Sequence, residues 1–213
     1  MHANFLQYPS LCKDYIYLIT EVLEYFPDRL KDLDAKLLSS LVKSLIFGMN
    51  HAIFEVGSSA FDAMMTLGLY AWFESTKKGA DSLAFLAPHL DSLLQHTFHY
   101  ILFEDFDSTL ISHAGDSLFA LVMARQDTFR ILVEQVMQQQ PHPGIKARLS
   151  KEFQDLTQVM IKIANLQHDA ILQGRLSIGF GEFHGTKMLL QFKEYREQFF
   201  VFIMHVRGIL RVK

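Results

Sequence analysis

His96 and His99 stand three residues apart, with His89 seven before His96, so on a helix the first two would face one ligand. Zinc requires three or four ligands in tetrahedral array, and the single cysteine, Cys12, is remote in sequence. Polar-face histidines are the simpler reading. His113 and Asp116 are also helical neighbours, with Ser112 and Ser117 beside them. A catalytic serine needs a base within hydrogen-bond reach, a group that orients the base and an oxyanion site, and no strand-to-helix nucleophile turn surrounds these residues. The Gly179-Phe180-Gly181 segment has the glycines of a phosphate loop. It lacks the preceding strand and the terminal Gly-Lys-Ser/Thr of such a loop, so it reads as a flexible connection in which Asp169 and Glu182 are ordinary acids. The residue pattern therefore predicts no catalytic, cofactor or metal site, and a chain that binds and does not catalyse.

Composition narrows the class further. Half of the 213 residues are hydrophobic, a fifth are charged, and phenylalanine occurs 19 times, which is too apolar for a disordered chain. A membrane helix needs about 20 mostly apolar residues, whereas the longest stretch free of Asp, Glu, Lys and Arg is 12 residues, Ser92 to Phe103. No membrane insertion is expected. Twenty basic and 23 acidic side chains give a net charge of −3 with no basic block, so nothing supplies the concentrated positive surface that nucleic acid requires. One cysteine excludes an intrachain disulfide, and the first residues show no basic run followed by an apolar stretch; a reducing, intracellular setting is expected.

The positions of the apolar residues predict eight helices. A first, from about Ser10 to Phe26, sets Leu11, Tyr15, Leu18, Ile19, Val22, Leu23 and Phe26 on one side. A second opens at an Asp34 cap with a Leu33/Leu38 staple and carries two apolar rows, Leu37-Leu41-Leu45-Met49 and Leu38-Val42-Ile46. After an Asn50-His51 turn a third runs from about Ala52 to Phe73, with Gly57, Ala60 and Ala63 as a ridge for close contact; Glu74 to Gly79 reads as a connection. The fourth ends at Phe103, starting at Ser82 or Pro88. Ser108 is the expected cap of the fifth and Asp127 that of the sixth, which points Ile131, Leu132, Val136 and Met137 inward. Pro141 and Pro143 separate it from the seventh, whose face reads Leu149, Phe153, Leu156, Met160 and Ile163. Periodicity fades over 165–185, where four glycines cluster, predicting a long connection. The last helix, about Thr186 to Arg211, is strongly aromatic, and its Arg207, Arg211 and Lys213 suit a helix C-terminus. Any aromatic it leaves uncovered would be a partner-binding patch.

Eight helices joined mostly by short turns, without alternating strand patterns, predict an all-α fold. Their grouping into hairpins fits an α-solenoid of about four antiparallel helix pairs of the HEAT class, forming a single domain over 1–213. A compact helical bundle is the competing architecture.

The order of several short segments resembles the carboxyl-terminal end of an exportin, a nuclear transport receptor of the importin-beta superfamily. The similarity begins at Phe5-Leu6-Gln7-Tyr8-Pro9-Ser10-Leu11-Cys12 and continues through Tyr17-Leu18-Ile19-Thr20 and Phe26-Pro27. It resumes at Leu41 to Leu45, Gly48-Met49 and Glu55-Val56. Ala114-Gly115-Asp116-Ser117-Leu118-Phe119-Ala120-Leu121-Val122 is similar to an Ala-Gly-Glu segment of that family, and Gly208 to Lys213 resembles its terminus. The resemblance implies HEAT-type pairs and a C-terminal fragment of a longer receptor. It also implies protein cargo, GTP-bound Ran and nuclear pore proteins as partners, and shuttling between nucleus and cytoplasm. It carries over no individual contact residue. The glycine-rich connection departs from the family pattern. The alternative is a helical adaptor or regulatory module unrelated to transport.

Overall fold

Asp34 begins its helix as its position before an apolar run predicts: the carboxylate accepts the Leu37 amide at 2.7 Å, satisfying one of the free donors of a first turn. The computed structural model describes residues 8–105, 107–172 and 186–211, and all regular structure among them is helical. The order is α1 (Pro9–Tyr25), α2 (Ala35–Met49), α3 (Phe54–Lys78), α4 (Ala87–Phe103), α5 (Ile111–Ala124), α6 (Gln126–Gln138), α7 (Pro143–Leu172) and α8 (Thr186–Arg211). Short 3-10 turns at Pro27–Asp32, Ala80–Leu83 and Ser108–Leu110 punctuate it.

Several boundaries differ from the sequence reading, each for a local reason. Helix α3 continues through Glu74–Lys78, because Lys78 pairs with Glu74 one turn earlier and the hydroxyls of Ser75 and Thr76 donate to the Trp72 carbonyl. A polar stretch thus stays helical by bonding to itself. The helix stops at Gly79, whose φ of 91° suits glycine alone. The fifth helix is preceded by a turn capped by Asp107, not Ser108: Asp107 accepts from the Thr109 amide at 2.9 Å. Asp127 lies inside the first turn of α6, and the cap position is held by Arg125. Helix α7 persists to Leu172, past the point where periodicity fades; 173–185, with Gly174, Gly179, Gly181, Glu182 and Gly185, lies outside the described residues.

The helices pack in a repeat-like arrangement. One line runs α1 to α3 to α5, and a second runs α2 to α4 to α6 to α7. The α7/α8 hairpin also reaches back, α8 onto α4 and α5, α7 onto α3. One continuous apolar core extends from Cys12 to Ile209. The seventh helix buries Leu149, Phe153, Leu156, Met160 and Ile163, the face its spacing predicts.

Close approach of α3 to α5 depends on a residue the sequence reading passed over. A methyl group on Gly68 would stand 2.7 Å from the Ala120 carbonyl carbon and 2.9 Å from the Leu121 amide nitrogen. Gly57, Ala60 and Ala63 are buried as predicted, but Gly68 sets the tightest backbone contact. Gly115 does the same for α8: a methyl there would stand 2.6 Å from the Phe199 ring. Around that notch Phe119 meets Tyr195 edge-on at 5.1 Å, and Phe153 meets Phe202 at 5.0 Å. Each such pair adds about 1 kcal/mol beyond burial.

Candidate functional site

Polar side chains between the helices are spent on holding helices together. Arg125 grips Asp91 through Nε at 2.7 Å and Nη2 at 2.9 Å, while Thr128 donates to the same carboxylate at 2.5 Å. Burial alone would raise the Asp91 carboxyl; the bonds from Arg125 and Thr128 outweigh it and hold it below the usual carboxylate range. This cluster ties α4 to α6. At the other side of α5, Arg196 makes a forked pair with the buried Asp116, its Nε lying 2.9 Å from Oδ1. The neighbouring Tyr195 hydroxyl donates to the Gly115 carbonyl at 2.7 Å. Arg207 reaches the C-terminal carbonyls of α4, donating to Ile101 at 3.2 Å and to Glu104 at 2.5 Å. Its charge thus serves the negative end of α4.

The sequence candidates for chemistry do not converge. His96 is exposed and bonds back to the Ser92 carbonyl at 2.7 Å. His99 is exposed, 3.5 Å from Glu104 and packed on Phe103. His89 is half-buried a turn and more away. Among the described residues no group of three His, Cys, Asp or Glu side chains is placed to hold a metal. Cys12 is fully buried in α1, and burial raises its thiol, which keeps it inert. Asp169 falls in the last turns of α7.

His113 turns away from both serines to Asp62 on α3, with Nδ1 2.8 Å from Oδ1. The hydrogen bond to Asp62 raises its pKa above the ordinary value; burial opposes this, the charges of Asp62 and Asp116 add to it, and Arg196 subtracts. A histidine whose folded pKa is raised contributes stability that is complete below its unfolded pKa and lost as pH climbs through the folded one. We expect the denaturant midpoint of the natural chain to exceed that of His113→Gln by most near pH 6 and by least near pH 8. A gap that stays constant over this range would show that the pair does not titrate.

Ser117 is fully buried and its hydroxyl finds no hydrogen-bond partner among the described residues, whereas Ser112 is exposed. An unpaired buried hydroxyl is a cost of about 1 kcal/mol or more. Ser117→Ala should therefore leave stability unchanged or raise it by about 1 kcal/mol in urea titration; a loss would mean that the hydroxyl has a partner in solution.

Binding surfaces are better candidates than chemical centres. On α1 the core row is Cys12, Ile16, Ile19 and Leu23. Of the row that the sequence assigned to the core, only Ile19 and Leu23 are buried: Leu11 is 45% exposed, Leu18 59% and Val22 42%. The helix is apolar around more than half its circumference, so periodicity alone does not say which stripe meets α3. Helix α6 also differs: Phe129 and Val136 are buried, Leu132 and Met137 half-buried, and Ile131 points out. On α8, Tyr195, Phe199, Phe202, Ile203 and Val206 fill the core, while Phe200, Val201 and Met204 remain outside, Met204 at 60% exposure. The aromatic pattern of this helix favours burial, and of these three only Phe200 is an aromatic that stays uncovered. Two larger open grooves lie among the described residues. One, of about 710 Å³, lies beside Met49, His96, His99 and Phe103; the other, about 720 Å³, runs between α6 and α7 over Phe129, Val133, Met137 and Phe153.

No described helix is long and apolar enough to cross a membrane. No protein-family model matches the chain.

Proposed function

We propose that this chain is a protein-binding scaffold, working through extended helical surfaces and not through catalysis. The observation that carries this reading is the pair of exposed apolar faces on α1 and α8, built from Leu, Val, Phe and Met at helical spacing. Contiguous exposed apolar surface of this kind favours a protein partner. A photo-crosslinker installed at Leu18 and, separately, at Met204 tests it. One recurrent, mass-identified protein adduct, lost when Val22→Glu or Val201→Glu is added nearby, is the expected result. Absence of any recurrent adduct at both positions overturns the reading.

Within that class we propose a narrower identity: HEAT-type pairs at the carboxyl-terminal end of a Ran-GTP-dependent nuclear export receptor similar to exportin-4. The ordered segments from Phe5 to Lys213 support it, as does the structural use of the Ala114–Val122 segment, where Gly115 admits Phe199 and Asp116 receives Arg196. In this reading the segment contributes contact surface and stiffness to a superhelix whose curvature both cargo and Ran prefer. Hydrolysis of GTP belongs to Ran. Partners are protein cargo, GTP-bound Ran and pore proteins, and the receptor shuttles between nucleus and cytoplasm. Pulldown of Ran loaded with GTP or GDP, by this chain and by the complete receptor polypeptide, tests it. The complete receptor should retain only the GTP form, more weakly once the present segment is deleted. Equal capture of the two forms, or no effect of the deletion, leaves the general scaffold and removes the transport role.

A further inference from the structure

The exposed stripe of α1 has a regular geometry. Tyr8, Leu11, Tyr15, Leu18, Val22 and Tyr25 recur at alternating intervals of three and four, the repeat of a coiled-coil seam. All but the half-buried Tyr15 are exposed. Such a seam drifts about 20° per heptad around a straight helix and is followed along its length by another helix crossing at about 20°. An irregular loop or a strand has no matching period.

The flanks of the seam are unlike. One flank is formed by Cys12 and Ile19, which are already committed to the core. The other carries Asp14 and Glu21, with Glu21 also bonded to Tyr17. Alongside lies α2, joined by the Tyr15 to Ser44 hydrogen bond at 3.2 Å. Ser44 shares its stripe with Leu41 and Leu37, the latter 48% exposed, so the apolar surface of α1 continues onto α2.

We infer that this seam receives one amphipathic helix of a partner protein, with its own three-four apolar seam and Lys or Arg residues set against Asp14 and Glu21. A second copy of α1 is a poor occupant. Antiparallel pairing of two such seams brings acid against acid, and parallel pairing needs the flank occupied by Cys12 and Ile19. The inference rests on the scaffold reading and specifies one partner for one of its faces.

Three probes test it: a helical peptide of about three heptads with Leu at the seam and Lys at the flank, the same peptide with Glu at the flank, and the full chain alone. In fluorescence anisotropy the Lys peptide should bind about tenfold or more tighter than the Glu peptide, and high salt should narrow the gap. Leu18→Glu, an outward-facing change checked by circular dichroism, should weaken both peptides, and Asp14→Lys with Glu21→Lys should reverse the preference. Equal binding of the two peptides, or binding unaffected by Leu18→Glu, overturns the inference. So does sedimentation of the chain alone as a dimer that Leu18→Glu dissolves, since the occupant is then a second copy. Recurrent adducts at Met204 after failure here would retain the scaffold reading without this site.

Discussion

Gly68→Val will lower the stability of the fold by about 3 kcal/mol or more, the upper part of the range for overpacked cores. The added atoms have nowhere to go: a Cβ alone would lie 2.7 Å from one main-chain atom of α5 and 2.9 Å from two others, and backbone yields less readily than the tip of a side chain. The packing of α3 on α5 is the most extensive between any two described helices, so a shift there disturbs the whole α1–α3–α5 line. Valine ought to gain helix propensity over glycine by a few tenths of a kcal/mol, and the clash exceeds that gain several-fold. Gly208 provides the control. A methyl there meets nothing within 4 Å, and Gly208→Ala should stabilise α8 by up to about 1 kcal/mol. Urea denaturation followed by circular dichroism reads both. Equal and small effects at the two glycines would mean that α3 and α5 do not approach as closely as described.

Arg196→Met should cost about 3 kcal/mol, because it strands the Asp116 carboxylate inside the fold. The pair is asymmetric: the Asp116 side chain is 10% exposed and that of Arg196 41%. Removing the outer, arginine partner leaves a buried uncompensated charge, which is the expensive way to break an ion pair. Asp116→Asn in the same chain removes the stranded charge, and the double variant should recover part of the loss. Thermal and urea melts of the four chains give the coupling directly. A double variant no more stable than Arg196→Met alone would contradict the account. Exposed pairs such as Lys193 with Glu197 should be replaceable with changes within about 0.5 kcal/mol.

Much of the architecture was legible in the sequence because helical spacing and caps are local. The Asp34 cap, the core face of α7 and the extent of α8 follow from residues within a few turns of one another. What was hidden depends on contacts between distant segments. The inward stripe of α1 could not be chosen, since Leu11-Leu18-Val22 and Ile16-Ile19-Leu23 satisfy the same period and only the position of α3 decides between them. The role of Gly68 was hidden for the same reason: an isolated glycine in a helical run looks like a weak spot until the neighbouring backbone is known. Lys77 and Lys78 looked like a linker because polar content alone does not distinguish a solvated helical turn from a loop. Of the candidate chemical residues, His113 and Asp116 are near each other as predicted, but each is claimed by a different helix, Asp62 on one side and Arg196 on the other. That Phe200, Val201 and Met204 escape the core was not read from the sequence, which favoured burial. An aromatic helix signals burial, and which of its residues escape depends on where the other helices end.

The placement of α8 bears on how the chain is made. Its side chains fill the Gly115 notch, cover Phe119 and Phe153, and supply Arg207 to the end of α4, yet it leaves the ribosome after all of those segments. Until it arrives, the surfaces it will seal stand open to water and to other nascent chains, a hazard typical of contacts that close over long sequence separations. Translation must therefore pass through a vulnerable interval that ends only when α8 docks.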